Sequence, residues 1–361
     1  MKAMLLAAGV GERMLPLTRL VPKPLVPVLG RPLAPQILEK LAMEGIEDAV
    51  VNVHHLPDRL RHALGDGALL GLQSLRYSDE SERLLGTGGG VGAAARWLRG
   101  TGTILVRNSD FLADIPLARA LASHIRSGRP ATLVVAPHRA GYTPLTVDAE
   151  NRVTEFGGRD GKASAVPKRF LFTGYQLIEE SILDSLPSDQ PSDIVRDVYF
   201  ALAAKGRLNA YVHGGFWWEF GGPREYLEGS IRLIRMPPEQ RARLGDFDPV
   251  RTAGPASVAV GPGADLHADR ITLTGGLAIG LGVMIGEKVS LEDSVIMPES
   301  WVGPGSSLRR CIVGPGTEIP IDFHASDAVI VAEMEPSAPL PAGVERAGNL
   351  IIRRFDGADT R

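Results

Sequence analysis

The sequence lacks the means for several ways of life. It has one cysteine, Cys311, in 361 residues, so no intrachain disulfide can form. No apolar run approaches the roughly 18–20 residues of a membrane-spanning helix. The opening MKAMLLAAG runs straight into a charged loop, without the apolar stretch and small-residue cleavage site of a secretion signal. These absences together predict a cytoplasmic protein with no membrane partner. Neither charge sign dominates: 39 basic residues stand against 42 acidic ones, a net charge of -3, which argues against nucleic acid as the partner. The eight histidines form no set with metal-ligand spacing; His54 and His55 simply close a strand.

Glycine (42) and proline (27) are plentiful. Glycine concentrates in the first loop, in Gly86 to Gly92, and after Gly254. The length allows about two domains. Up to residue 235, apolar runs such as KAMLLAA, EDAVVNVHH, TGTILVRNSD and ATLVVAPH alternate with helical periodicity in PLAPQILEKLAMEGI, LPDRLRHALGDG, GGVGAAARWLRG and LARALASHIRSG. Such alternation predicts a Rossmann-like, mostly parallel α/β sheet, with its ligand at the carboxyl ends of the strands, by the loops after Ala8, His55 and Asn108.

Residues 236–254 read as a linker. Beyond them, Val260-Gly261, Ile279-Gly280, Ile285-Gly286, Val302-Gly303 and Val313-Gly314 repeat an aliphatic–glycine pair, and aliphatics recur six apart. This hexapeptide pattern predicts a left-handed parallel β-helix over 255–335, aliphatics inward and glycines accepting the corner dihedrals. The tail, 336–361, ends in NLIIRRF, either one last strand or a packed tail.

The loop LLAAGVGERMLPLTRLVPKPLVPV decides the chemistry. It is not a dinucleotide fingerprint, since Met14 stands where the third glycine belongs and Pro16 follows; the Walker spacing is absent too. Pro16, Pro22, Pro24 and Pro27 stiffen a path that carries Arg13 and Lys23. Two cations beside a glycine turn suit a polyphosphate, whose transfer needs positioning and charge neutralisation.

The loop LAAGVGERMLPLTRLVPKP resembles the signature of the sugar-1-phosphate nucleotidylyltransferases. SDESERLLGTGGGVGAAARWL, NSDFLADI, FTGYQLIEESILDSLP and GGFWWEFGGPREYLEGS resemble further segments of that family, the whole being closest to its mannose-1-phosphate guanylyltransferase and N-acetylmuramate-phosphate uridylyltransferase members. The resemblance implies an enzyme that joins an NTP (GTP or UTP) to a sugar 1-phosphate and releases pyrophosphate, with GDP-mannose as the first expected product. Another sugar with uridylyl or thymidylyl transfer is the alternative, as is a weakened, NDP-sugar-binding regulatory subunit. It implies Mg²⁺ or Mn²⁺ and a homo-oligomer. By resemblance, Arg13 grips pyrophosphate and Lys23 lies between the two phosphates. Leu6, Ala8, Gly9, Gly11, Glu80, Thr87, Gly88 and Gly89 hold the nucleotide. Asn108, Arg159 and Gly174 hold the sugar phosphate, with Lys162 and Lys168 as rivals of Arg159. Asp110 and Glu219 bind the metal. Three positions depart from the family: Ser109 replaces a glycine, Glu219 an aspartate, and the usual lysine clamp is missing. Trp217 and Trp218 either wall the pocket or pack in the core. Cys311 is expected to be buried. His267 has no partner that would support acyl transfer.

Overall fold

The apolar runs form strands where the alternation places them: β1 (Lys2–Leu6), β2 (Asp48–Val53), β3 (Ser74–Asp79) and β4 (Thr103–Asn108), with helices α1 (Leu33–Met43), α2 (Pro57–Leu64) and α3 (Gly86–Leu98) in between. α4 (Leu117–Ser127) then leads to β5 (Ala131–Pro137), followed by β6 (Leu145–Val147), β7 (Val153–Phe156), β8 (Arg169–Glu179) and β9 (Leu208–Val212). The structure, a computed structural model, describes residues 1–157, 169–266, 270–333, 340 and 342–355. Two compact units emerge: Met1–Val10 with Ile37–Trp217, and Gly11–Gln36 with Trp218–Thr360.

In the first unit the sheet order is β7-β6-β8-β4-β1-β2-β3, and β5 joins β8 to β9. β1 pairs in parallel with β2 and β4, β2 with β3, and β5 with β9. β8 runs against β4 and β5. Most strands therefore share one direction, as the crossover pattern predicts. The core gathers Met4, Val50, Val91, Val106, Leu133, Val135 and Tyr199, each apolar side chain contributing about 1.5–3 kcal/mol on burial. The glycines of α3 are a packing requirement. A Cβ at Gly89 would lie 2.5 Å from the Gln190 carbonyl oxygen, and one at Gly88 2.5 Å from Ser192 Oγ. At Gly92 it would overlap the Pro187 carbonyl outright. The helix thus packs directly on the backbone of 187–194.

The second unit stacks parallel strands. β10 (Ala256–Val260) pairs with β11 (Thr272–Ile279). β12 (Ser307–Val313) pairs with β13 (His324–Ala332). Ser290 opposes Ser307 and Ser307 opposes His324, a step of 17 residues per coil, close to three hexapeptides. Ile279, Ile285, Leu291, Val302, Leu308, Val313 and Ile319 are buried as the repeat predicts. The glycine reading needs correction. Gly261, Gly280, Gly286, Gly303 and Gly314 do not take left-handed dihedrals. They are small because the next coil is close: a Cβ at Gly280 would lie 2.5 Å from Pro298 N, and one at Gly286 2.6 Å from Pro304 N. The segment NLIIRRF forms β14 (Leu350–Arg354), which lies antiparallel on β13.

Candidate active site

Where β1 and β4 leave the sheet, the two loops are stitched together. Ser109 N–H donates to the Leu6 carbonyl at 3.1 Å, and Ala7 N–H donates to Asn52 Oδ1 at 2.6 Å. Ala8 is buried, while a Cβ at Gly9 would meet nothing within 4 Å; the backbone there lies open to a ligand. Asn108 approaches β8 so closely that a Cβ at Gly174 would come within 2.7 Å of Asn108 Nδ2, and Gly174 has φ +79°. Asn108, Leu6 and Gly174, all expected at the site, thus lie together.

Beneath Asp110 sits a residue that motif reading missed. Arg107 is buried, and its Nε and Nη2 donate to the carbonyls of Asn108 (3.2 Å) and Phe111 (2.9 Å). The guanidinium also lies 4.3 Å from the Phe111 ring centroid. It therefore grips the chain on both sides of Ser109-Asp110. Burial pushes its pKa down to about 10, opposed at neutral pH by the neighbouring Glu44 and Asp110 carboxylates, so it remains a cation. Asp110 is half-buried.

Glu80 is placed differently from a group that meets a base directly. It is 2% exposed, and its Oε1 accepts from Asn52 Nδ2 (2.7 Å) while Oε2 accepts from Leu85 N–H (2.9 Å). Asn52 links Glu80 to Ala7, so the strand ends of β1 and β2 and the entry to α3 form one buried network. Thr87 Oγ1 accepts from Ile194 N–H (3.0 Å), and Gly88 N–H donates to the Ser192 carbonyl (2.8 Å). Thr87, Gly88 and Gly89 form a shelf joined to 190–194.

In the second unit the signature loop folds as three short turns, Glu12–Met14, Leu17–Arg19 and Lys23–Leu25. Gly11 has φ +73°, and a Cβ on it would lie 2.9 Å from Thr18 Cγ2 and 3.3 Å from Lys23 Cβ. Thr18 Oγ1 donates to the Gly11 carbonyl at 2.9 Å. The glycine turn and Lys23 are thereby brought together. Tyr226, fully buried, donates its hydroxyl to the Pro27 carbonyl. Arg13 Nη2 donates to Glu219 Oε1 at 3.2 Å; the arginine side chain is 55% exposed and the glutamate 16%. Gly221 keeps this pair close, since a Cβ there would lie 2.5 Å from Glu219 Oε1 and 3.1 Å from Arg13 Nη1.

Trp217 belongs to the core of the first unit: it is 2% exposed, donates to the Thr173 carbonyl at 3.0 Å, and meets Tyr142 edge-on at 5.4 Å. Trp218 donates to the Glu225 carbonyl at 2.8 Å. His54 Nδ1 lies 2.7 Å from the Glu80 carbonyl. Arg159, Lys162, Lys168 and His267 lie outside the described residues. Among the described residues, no group of three or more His, Cys, Asp or Glu side chains forms a metal set, and no helix is long and apolar enough to cross a membrane.

A signal for two of the missed residues was present. Asn52 interrupts VVNV and Arg107 interrupts TILVRN, and a polar or charged group in a buried strand must find partners.

Comparison with known proteins agrees with this geometry. The family model described as nucleotidyl transferase matches residues 2–235. A mannose-1-phosphate guanylyltransferase of Mycobacterium tuberculosis is 32% identical over 85% of this chain and 83% of its own length. A UTP–glucose-1-phosphate uridylyltransferase of Synechocystis is 27% identical over 91% and 93%, and mannose-1-phosphate guanylyltransferase 1 of Arabidopsis thaliana 29% identical over 91% and 86%. A glycine turn folded onto Lys23, a braced Asp110 and a matching family model over most of the first 235 residues lead to one statement: the chain belongs to the nucleotidyl transferase family and is a sugar-1-phosphate nucleotidylyltransferase.

Proposed function

We propose that the enzyme makes GDP-mannose and pyrophosphate from GTP and mannose 1-phosphate. The observation that carries this reading is the resemblance, over most of the chain, to guanylyltransferases of that name in two distant organisms. The Synechocystis relative keeps UTP with glucose 1-phosphate as the second reading.

In the proposed reaction a phosphate oxygen of the sugar phosphate attacks the α-phosphorus of the NTP in line. The new P–O bond forms as the bond to the β-phosphate bridging oxygen breaks, and pyrophosphate carries away the electron pair. A phosphate monoester is largely dianionic near neutral pH, so no general base is assigned. Lys23 neutralises the α-phosphate and the incoming phosphate, and Arg13 takes the charge that grows on pyrophosphate. Open backbone at Gly9 and the turn at Gly11 receive the nucleotide; Thr87, Gly88 and Gly89 form the shelf for base and ribose. Glu80 serves that shelf as a brace. Asn108 and Gly174 border the sugar.

Asp110 and Glu219, the metal ligands that the family resemblance implies, are each a hard oxygen donor of the kind Mg²⁺ or Mn²⁺ accepts. When bound, such an ion supplies charge neutralisation between two polyanions. Arg107 holds the Asp110 loop for this role. We read the parallel coils of the second unit as a left-handed β-helix and the protein as a cytoplasmic homo-oligomer; the exposed Leu281, Met284 and Ile321 support the self-association.

The test is product identification by mass across GTP, UTP, dTTP, CTP and ATP, each with mannose, glucose and N-acetylated sugar 1-phosphates. GDP-mannose as the fastest product is expected. A faster UDP- or dTDP-sugar would transfer the assignment to that base and sugar.

A further inference from the structure

The last strand of the second unit reaches the signature loop. Arg353 of β14 donates through Nη1 to the carbonyl oxygens of Arg13 (2.9 Å) and Leu15 (3.0 Å), some 340 residues earlier in the chain. β14 is itself well anchored. Val329 opposes Arg353 and Ile330 opposes Ile352, while Leu350 and Ile352 are buried in the stacked core. Just beyond, Phe355 is buried and donates its N–H to the Asp327 carbonyl at 2.7 Å.

A second connection leaves the same strand end. The Phe355 carbonyl accepts from Arg224 Nη2 at 3.0 Å. Arg224 stands in the first turn of α5 (Pro223–Ile234), a few residues after Glu219, which holds the Arg13 guanidinium. Arg13 is thus gripped twice: its backbone by Arg353, its side chain by Glu219. The side-chain grip is solvent-exposed on the arginine side, and exposed ion pairs hold weakly. The backbone grip comes from a charged, planar donor group on a buried strand, which fixes direction better.

We infer that Arg353 is a positioning residue for nucleotidyl transfer: by fixing the carbonyls of Arg13 and Leu15, it aims Arg13 at the departing pyrophosphate. This rests on the proposed reaction. Arg353 needs no contact with substrate; it makes the C-terminal strand part of the catalytic apparatus.

The test compares wild type with Arg353→Met, which keeps the aliphatic stem and removes the donors, and Arg353→Lys, which restores a cationic donor. Two quantities are read in the full-length protein: amide hydrogen exchange of residues 11–20, and kcat with KM for each substrate. Arg353→Met is expected to speed exchange in 11–20 while leaving β1 to β4 unchanged. It should also lower kcat by about tenfold or more, with KM for the sugar phosphate unchanged, because misaiming a charge that acts on the leaving group costs the transition state. Arg353→Lys should recover part of both. Turnover within twofold of wild type in Arg353→Met overturns the inference, and so does equal exchange. If wild type turns over no substrate pair, the functional reading fails by itself, and equal exchange in the two proteins still overturns the clamp.

Discussion

Asn52 gives the plainest lesson at the scale of single residues. Its amide sits in a buried strand and bonds Ala7 on one side and Glu80 on the other; breaking either bond leaves a polar atom without water. Glu80→Gln places an N–H against one of two donors, Asn52 Nδ2 or Leu85 N–H. It is expected to lower the unfolding free energy by about 1–3 kcal/mol, read by urea denaturation; an unchanged midpoint would remove Glu80 from the network. Cys311 supplies a second prediction. It is fully buried, and burial pushes its thiol up to about 12. Between pH 7 and 9 the folded protein should therefore react with a thiol reagent at a small fraction of the rate seen in denaturant, where one thiol becomes reactive. Arg13 and Lys23 stand in one local motif and Asp110 in another, which is why the sequence alone offers them as candidates. Asn52 and Arg107 were visible only as polar interruptions of apolar strands, and Arg353 not at all, since its partners lie at the other end of the chain.

Elements show why similar residues serve different ends. The glycine run of α3 lies within a segment expected to face the nucleotide, yet Gly89 and Gly92 are small because the backbone of 187–190 presses on them. Gly92→Ala should therefore destabilise the fold by about 1–3 kcal/mol or more through overpacking, measured as a drop in the denaturation midpoint with kcat unchanged in the fraction that remains folded. In the stacked coils the hexapeptide period located the buried aliphatics correctly, because inward residues repeat with the coil. It misread the glycines that follow them: left-handed dihedrals fall on other residues, including Lys288, Glu299 and Asp322, while the pattern glycines make way for the neighbouring coil. Period is written in the sequence; the distance between coils is not.

On the scale of the whole molecule, the chain order and the compact units differ in a way that bears on catalysis. Residues 11–36, which carry Arg13 and Lys23, cluster with 218–360 and not with the sheet from which they emerge. The C-terminal region therefore shares one compact unit with the loop that carries Arg13 and Lys23. Removal of divalent metal by a chelator should abolish turnover, with recovery on adding Mg²⁺, since the proposed reaction brings two polyanions together and needs their charge neutralised; activity that persists in chelator would withdraw the metal from the proposal. The central claim is that Lys23 and Arg13 serve transfer of a nucleotidyl group to a sugar phosphate. The most direct measurement is pyrophosphate release from GTP with mannose 1-phosphate and Mg²⁺, comparing wild type with Lys23→Ala. Release that requires both substrates and falls by about 10²–10³-fold in the variant is the result expected. Equal release by the two proteins, or release that ignores the sugar phosphate, would contradict it.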